Sequence, residues 1–193
     1  MSTTLRAFLI ALVLVNLAFV HATEAARLTW LAPMYALTLG APLLARFRES
    51  LVYRSIWNLG VLALFALLVQ HATGTAAMEY LLEDGLRLAA VCQVHLLNNL
   101  GRRQRPDLLF FNSFLVALVT AFLTWDVAYS VIFLLYVPVL VIGMAVHCVA
   151  PPDAPPVPSA VLRRVIGDGL RRSAVALACT GCVFFLAPRD FTR

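Results

Sequence analysis

The chain has 193 residues, 62% of them apolar and only 13% charged, with a net charge of +5. That charged share is about half of what an ordinary soluble domain carries. A soluble fold of this length also keeps too much surface in water to hide so many apolar side chains, so a soluble enzyme is excluded. The charges are clustered and leave seven uncharged runs that total 131 residues. A helix needs roughly 20 apolar residues to cross a bilayer. The sequence therefore predicts an all-α, polytopic transmembrane helical bundle of about seven spans (six to seven), forming one integral membrane domain over 1–193. The spans fall near 7–23, 28–45, 55–76, 80–101, 108–125, 127–149 and 173–188. Only 62 residues lie outside the uncharged runs.

The first span follows Arg6, and its apolar run ends in small residues that also suit a signal peptide. It is read as a retained span, and a mature chain starting near Thr23 would overturn this. The second span lies between Arg27 and Arg46, with Ala32, Ala36 and Gly40 at steps of four. The third begins after Arg54. The fourth contains an uncharged run, 88–101, that covers only about 21 Å at 1.5 Å per residue, short of the roughly 30 Å core. It crosses only if Gly85, Leu86 and Arg87 join the helix. Glu83, Arg87, His95 and Asn99 then share one face at i, i+4 steps, with Asn98 beside it, and this polar face is expected to look into the bundle.

The fifth and sixth spans form a hairpin around Trp125-Asp126. Ser113, Ala117 and Ala121 make a small-residue stripe on the fifth, and Pro138 is expected to weaken or kink the sixth. A Pro-rich linker at 151–159 reads as a stiff spacer. The segment 161–172, with paired arginines, reads as a short amphipathic stretch on the inner leaflet. The seventh span carries Ala174, Ala178 and Cys182 at steps of four.

All fifteen basic residues are arginine. Cytoplasmic loops of membrane proteins hold an excess of basic residues. An N-in, C-out path places eleven of the fifteen inside: Arg6, then Arg46, Arg48 and Arg54, then Arg102, Arg103 and Arg105, then Arg163, Arg164, Arg171 and Arg172. The net charge is thus explained by topology, with the lipid bilayer as partner and no nucleic acid. Trp30, Trp57 and Trp125 fall independently at expected interfaces.

No set of residues carries an obvious chemistry. Cys179 and Cys182 have the spacing of a redox or zinc pair, but they stand alone inside an apolar span, where small packing residues are expected. The histidines sort into two layers, His21 with His71 and His95 with His147. Paired imidazoles at equal depth are what a b-type haem would need, whereas hydrogen bonding between helices is the plainer role. Glu83 and Arg87 read first as an i, i+4 ion pair. No nucleophile has an evident base beside it. The expectation is therefore no catalytic residues, no metal and no cofactor.

The stretch from Gln93 to Asp107, Gln-Val-His-Leu-Leu-Asn-Asn-Leu-Gly-Arg-Arg-Gln-Arg-Pro-Asp, ends one hydrophobic helix and precedes a helical hairpin. It resembles the "LxKLLExRxxRD" region in the N-terminal membrane domain of bacterial transglutaminase-like membrane proteins of the TgpA type. The segment 161–172 and the closing Val183-Phe-Phe-Leu-Ala-Pro-Arg189 are similar to that family's last helix and its "FxxFPR"-like end. Three places depart from the pattern: His95 stands for Lys, Asn98 for Glu, and Arg105-Pro106-Asp107 for an Arg-Asp pair.

The resemblance implies a bacterial inner (plasma) membrane and an extracytoplasmic transglutaminase-like partner domain. In the family that domain carries the Cys-His-Asp triad and would begin near Arg193. The expected role is thus an anchor or scaffold without enzymatic activity of its own. The alternative is a small transporter or lipid-linked-substrate protein using Arg87, His95 and Asn99, and a haem-binding electron carrier has only the histidine layers behind it.

Overall fold

A computed structural model of the chain describes residues 3–24, 26–47, 49–74, 78–100, 106–124, 127–150 and 157–186. Among these residues the fold is entirely helical, with eight α-helices, one 3-10 turn and no strand. Three helices are long and apolar enough to cross a membrane: α1 (Thr3–Ala22), α4 (Leu51–Thr73) and α7 (Val127–Val149). Such helices fit a membrane protein, in which every backbone polar group must be bonded inside its own segment. Two further apolar helices are shorter, α2 (Leu28–Leu39) and α6 (Asp107–Leu123).

Gly40 and Pro42 explain why the run 28–45 is not one helix. The Gly40 N–H still bonds the Ala36 carbonyl at 2.8 Å, but Pro42 has no N–H with which to continue the ladder. The chain restarts as α3 (Ala41–Leu44) and passes into the 3-10 turn Ala45–Phe47. At 12 residues α2 is only about 18 Å long. Its expected small-residue stripe is not a packing surface either, because Ala32 and Ala36 are exposed.

α5 (Met78–Asn99) starts ahead of the uncharged run, so Glu83, Asp84 and Arg87 do lie within the helix. α8 (Ser159–Leu186) departs from expectation in the other direction. The segment 161–172 is not a separate surface stretch but the first half of one uninterrupted 28-residue helix. It packs on α7 through Leu162, Val165, Ile166 and the buried Gly169 and Ser173, whereas Ala174 and Ala178 point away and are exposed. α7 itself runs unbroken through Pro138. The Pro-rich stretch 151–156, the Trp125-Asp126 turn and residues 187–193 lie outside the described residues, as do Arg48, Arg102, Arg103 and Arg105.

α1 is the centre of the bundle. It packs on α7, α6, α2 and α5, while α4 rests on α5 and α8 on α7. Leu5, Leu9, Leu12, Val13, Leu17, Phe19 and Val20 of α1 are wholly buried. Phe19 reaches into an aromatic group on α7, with ring centres 5.1 Å from Tyr129 and 5.4 Å from Tyr136. The helix ends where Glu24 turns to a φ of 56°, a left-handed cap that is uncommon outside glycine.

Small residues let α7 approach its neighbours closely. A Cβ on Gly143 would lie 3.2 Å from the Phe110 ring of α6, and one on Gly169 would lie 2.8 Å from Ile142 Cγ1. Between apolar helices in lipid, such close backbone approach supplies packing where burial from water does not.

Candidate functional site

The sequence reading puts five α5 residues on one polar face: Glu83, Arg87, His95, Asn98 and Asn99. Along its i, i+4 row the helix reads Glu83, Arg87, Val91, His95, Asn99, so an apolar residue interrupts the row, and Val91 is buried. The face accordingly divides into two polar groups about 12 Å apart along the helix axis.

The first group joins the ends of α4 and α5. Arg87 donates to Asp84 at 2.7 Å and to Glu83 at 3.2 Å. The His71 ring of α4 in turn meets the other oxygen of Asp84. Asp84, only 12% exposed, is therefore the hinge of the group, shared between a guanidinium on its own helix and an imidazole on the next. Arg87 and Glu83 are each about one-third exposed, and ion pairs of that kind add little stability. Asp84 lies off the i, i+4 row of the polar face. Its i, i+3 spacing to Arg87 was the available signal.

The second group occupies the last turn of α5. Asn99 Nδ2 lies 2.8 Å from His95 Nδ1, and the His95 ring packs against Trp57 of α4 at 5.4 Å. These contacts and the His71–Asp84 pair fix α4 and α5 as antiparallel neighbours. Asn98 turns the opposite way, donating to the Leu37 carbonyl of α2 at 3.3 Å and to the Val94 carbonyl at 3.0 Å. It does not join His95 and Asn99.

Polar side chains also tie the interior together. Asn16 of α1 donates to Ser113 of α6 at 2.6 Å, and Ser113 donates to the Tyr136 hydroxyl of α7 at 3.3 Å. Asn112 donates to the Ala89 carbonyl of α5 at 2.8 Å. Ser113 and Ala117 are buried, as the stripe on α6 predicts, but Ala121 is exposed. Gln93 makes no such tie. It is wholly buried, and among the described residues neither Nε2 nor Oε1 has a hydrogen-bond partner.

The histidines have separate neighbours. His147 Nε2 lies 3.0 Å from Asp107 Oδ1 and its ring packs on Phe110, while His71 and His95 keep the partners just described. Among the described residues no group of three or more His, Cys, Asp or Glu side chains is gathered closely enough to hold a metal ion. Cys179 is exposed on α8, and the Cys182 side chain lies outside the described residues. Arg46 sits over the Phe47 ring at 5.0 Å, and Arg6 donates to the Ala41 carbonyl at 3.2 Å. Arg54, Arg163, Arg164, Arg171 and Arg172 are exposed.

No protein-family model, curated protein or solved structure matches this chain.

Proposed function

We propose that the chain is a non-enzymatic membrane module, an anchor or scaffold that holds a transglutaminase-like partner domain outside a bacterial inner membrane. Its path is N-inside, C-outside over seven crossings, with α2, α3 and the following 3-10 turn together making the second. The observation that carries this reading is how the polar groups between helices are used. The Asn16, Ser113 and Tyr136 chain, the Asn112 bond to Ala89 and the His71 contact with Asp84 each join one helix to another, as a fixed mounting requires. The arginine distribution supports the orientation. The likeness of 93–107 and 161–189 to the TgpA-type domain supports the nature of the partner. A transport role along α5 has less behind it, because Arg87 and His95 stand two turns apart and each is engaged locally.

The test is a pair of C-terminal fusions in a bacterial host, one to a phosphatase active only outside the membrane and one to a fluorescent protein that matures only in the cytoplasm. Phosphatase activity without fluorescence is expected. Fluorescence without phosphatase activity would overturn the orientation, and with it the anchor role.

A further inference from the structure

A lateral cleft of ≈ 530 Å³ lies between α4 and α5, within the roughly 300–1,000 Å³ typical of ligand sites. Its walls are hydrocarbon, with Val61, Leu62 and Phe65 on one side and Leu88 and Leu96 on the other. Leu62 and Phe65 are 60% and 51% exposed, so the cleft opens sideways along the flank of a helix apolar enough to span a membrane. Its two ends differ in charge. At one end the lining becomes polar, with Asn58 of α4 facing His95 of α5. One turn further along the same rows come Arg54, four residues before Asn58, and Asn99, four after His95. At the other end, beyond Leu88, stand the carboxylates of Glu83 and Asp84 around Arg87.

We propose that this cleft binds one acyl chain of an anionic phospholipid, its phosphate held at the Arg54 end. The apolar walls accept the chain and exclude a freely soluble anion. The guanidinium fork of Arg54 matches phosphate oxygens, and the Asn58 amide lies on the same row to add a donor. The carboxylates at the far end repel a phosphate, so the lipid has one orientation. Charge complementarity thus selects an anionic headgroup over a zwitterionic one, whose own ammonium already balances its phosphate. The site needs only the α4–α5 pair in contact with lipid, so it stands whatever the outcome of the fusion test.

The full chain, purified in mild detergent, is titrated with phosphatidylglycerol or phosphatidylcholine of identical acyl chains, and retained lipid is counted by native mass spectrometry. One phosphatidylglycerol per chain is expected to be retained in preference to phosphatidylcholine. Arg54→Gln, checked for folding by a wild-type melting midpoint, lowers that preference about fivefold, the weight of one arginine against an anionic lipid surface. Cys92→Phe, which fills the cleft, removes the retained lipid, and Arg163→Gln on α8 changes nothing. The proposal is overturned if the wild type retains both lipids equally, if the preference survives Arg54→Gln, or if Arg163→Gln lowers it as much.

Discussion

Gln93 poses the sharpest question at the scale of single residues. Its neighbours on the same face of α5, Ala90, Val94 and Leu97, are apolar and buried, and the amide is desolvated among them without a bond from any described residue. An unsatisfied buried polar group costs about 1–3 kcal/mol. Methionine has nearly the same length and volume and removes both polar atoms, so Gln93→Met should stabilise the protein by about 1 kcal/mol or more. Thermal unfolding in detergent checks this, and a lowered midpoint would show that the amide has a partner. Asn16 gives the contrast: an amide of the same chemistry, equally buried, but donating at 2.6 Å to a hydroxyl on another helix. In the sequence nothing at their own positions separates these two residues, since each is an amide with apolar residues directly on either side. What separates them is the residue on the facing helix, which no spacing along their own helix reports.

At the scale of elements, two glycines of α8 lie two residues apart and predict opposite outcomes. A Cβ on Gly167 would meet nothing within 4 Å, whereas one on Gly169 would press into Ile142 of α7. Gly167→Ala should therefore stabilise by up to about 1 kcal/mol through helix propensity alone. Gly169→Ala should destabilise by about 1–3 kcal/mol through overpacking, with recovery when Ile142→Ala is added. Melting of the three variants in detergent measures both signs, and equal effects at 167 and 169 would contradict the α7–α8 contact.

Length and composition explain which elements were legible. The long apolar runs of α1, α4 and α7 announced themselves, because length and composition alone define them. The break at Gly40 and the fusion of 161–172 into α8 did not. Pro42 ends a hydrogen-bond ladder inside an uncharged run that reads as one span. The paired arginines of α8, conversely, look like the boundary of a span although the helix continues past them. The polar residues of α5 can be named from spacing alone, but the turn of Asn98 toward α2 and the contacts with His71 and Trp57 depended on how α2 and α4 are placed.

For the molecule as a whole, the central place of α1 is the dominant fact. A first apolar helix can be read as a removable leader or as a span, and composition does not separate the two. Its packing against four other helices gives the span reading physical weight. Removing residues 3–22 takes away Leu5, Leu9, Leu12, Leu17 and Phe19, each wholly buried against other helices. Single large-to-small changes at such positions cost about 2–5 kcal/mol, comparable to the total stability of a domain when several are lost together. The truncated chain should show no monodisperse peak on size-exclusion chromatography, and a sharp peak with wild-type melting would remove α1 from the core.

The pairing of α1 with α7 also has a consequence in time. The two helices are separated by more than a hundred residues of chain, yet α7 covers α1 more extensively than any other helix does. At a synthesis rate of about 5–20 residues per second, α1 waits roughly 5–20 s before that partner is made. Through that interval Phe19 has only lipid, a chaperone or the earlier helices beside it. A nascent chain arrested before residue 127 should therefore be far more open to proteolysis and mispairing than the finished one.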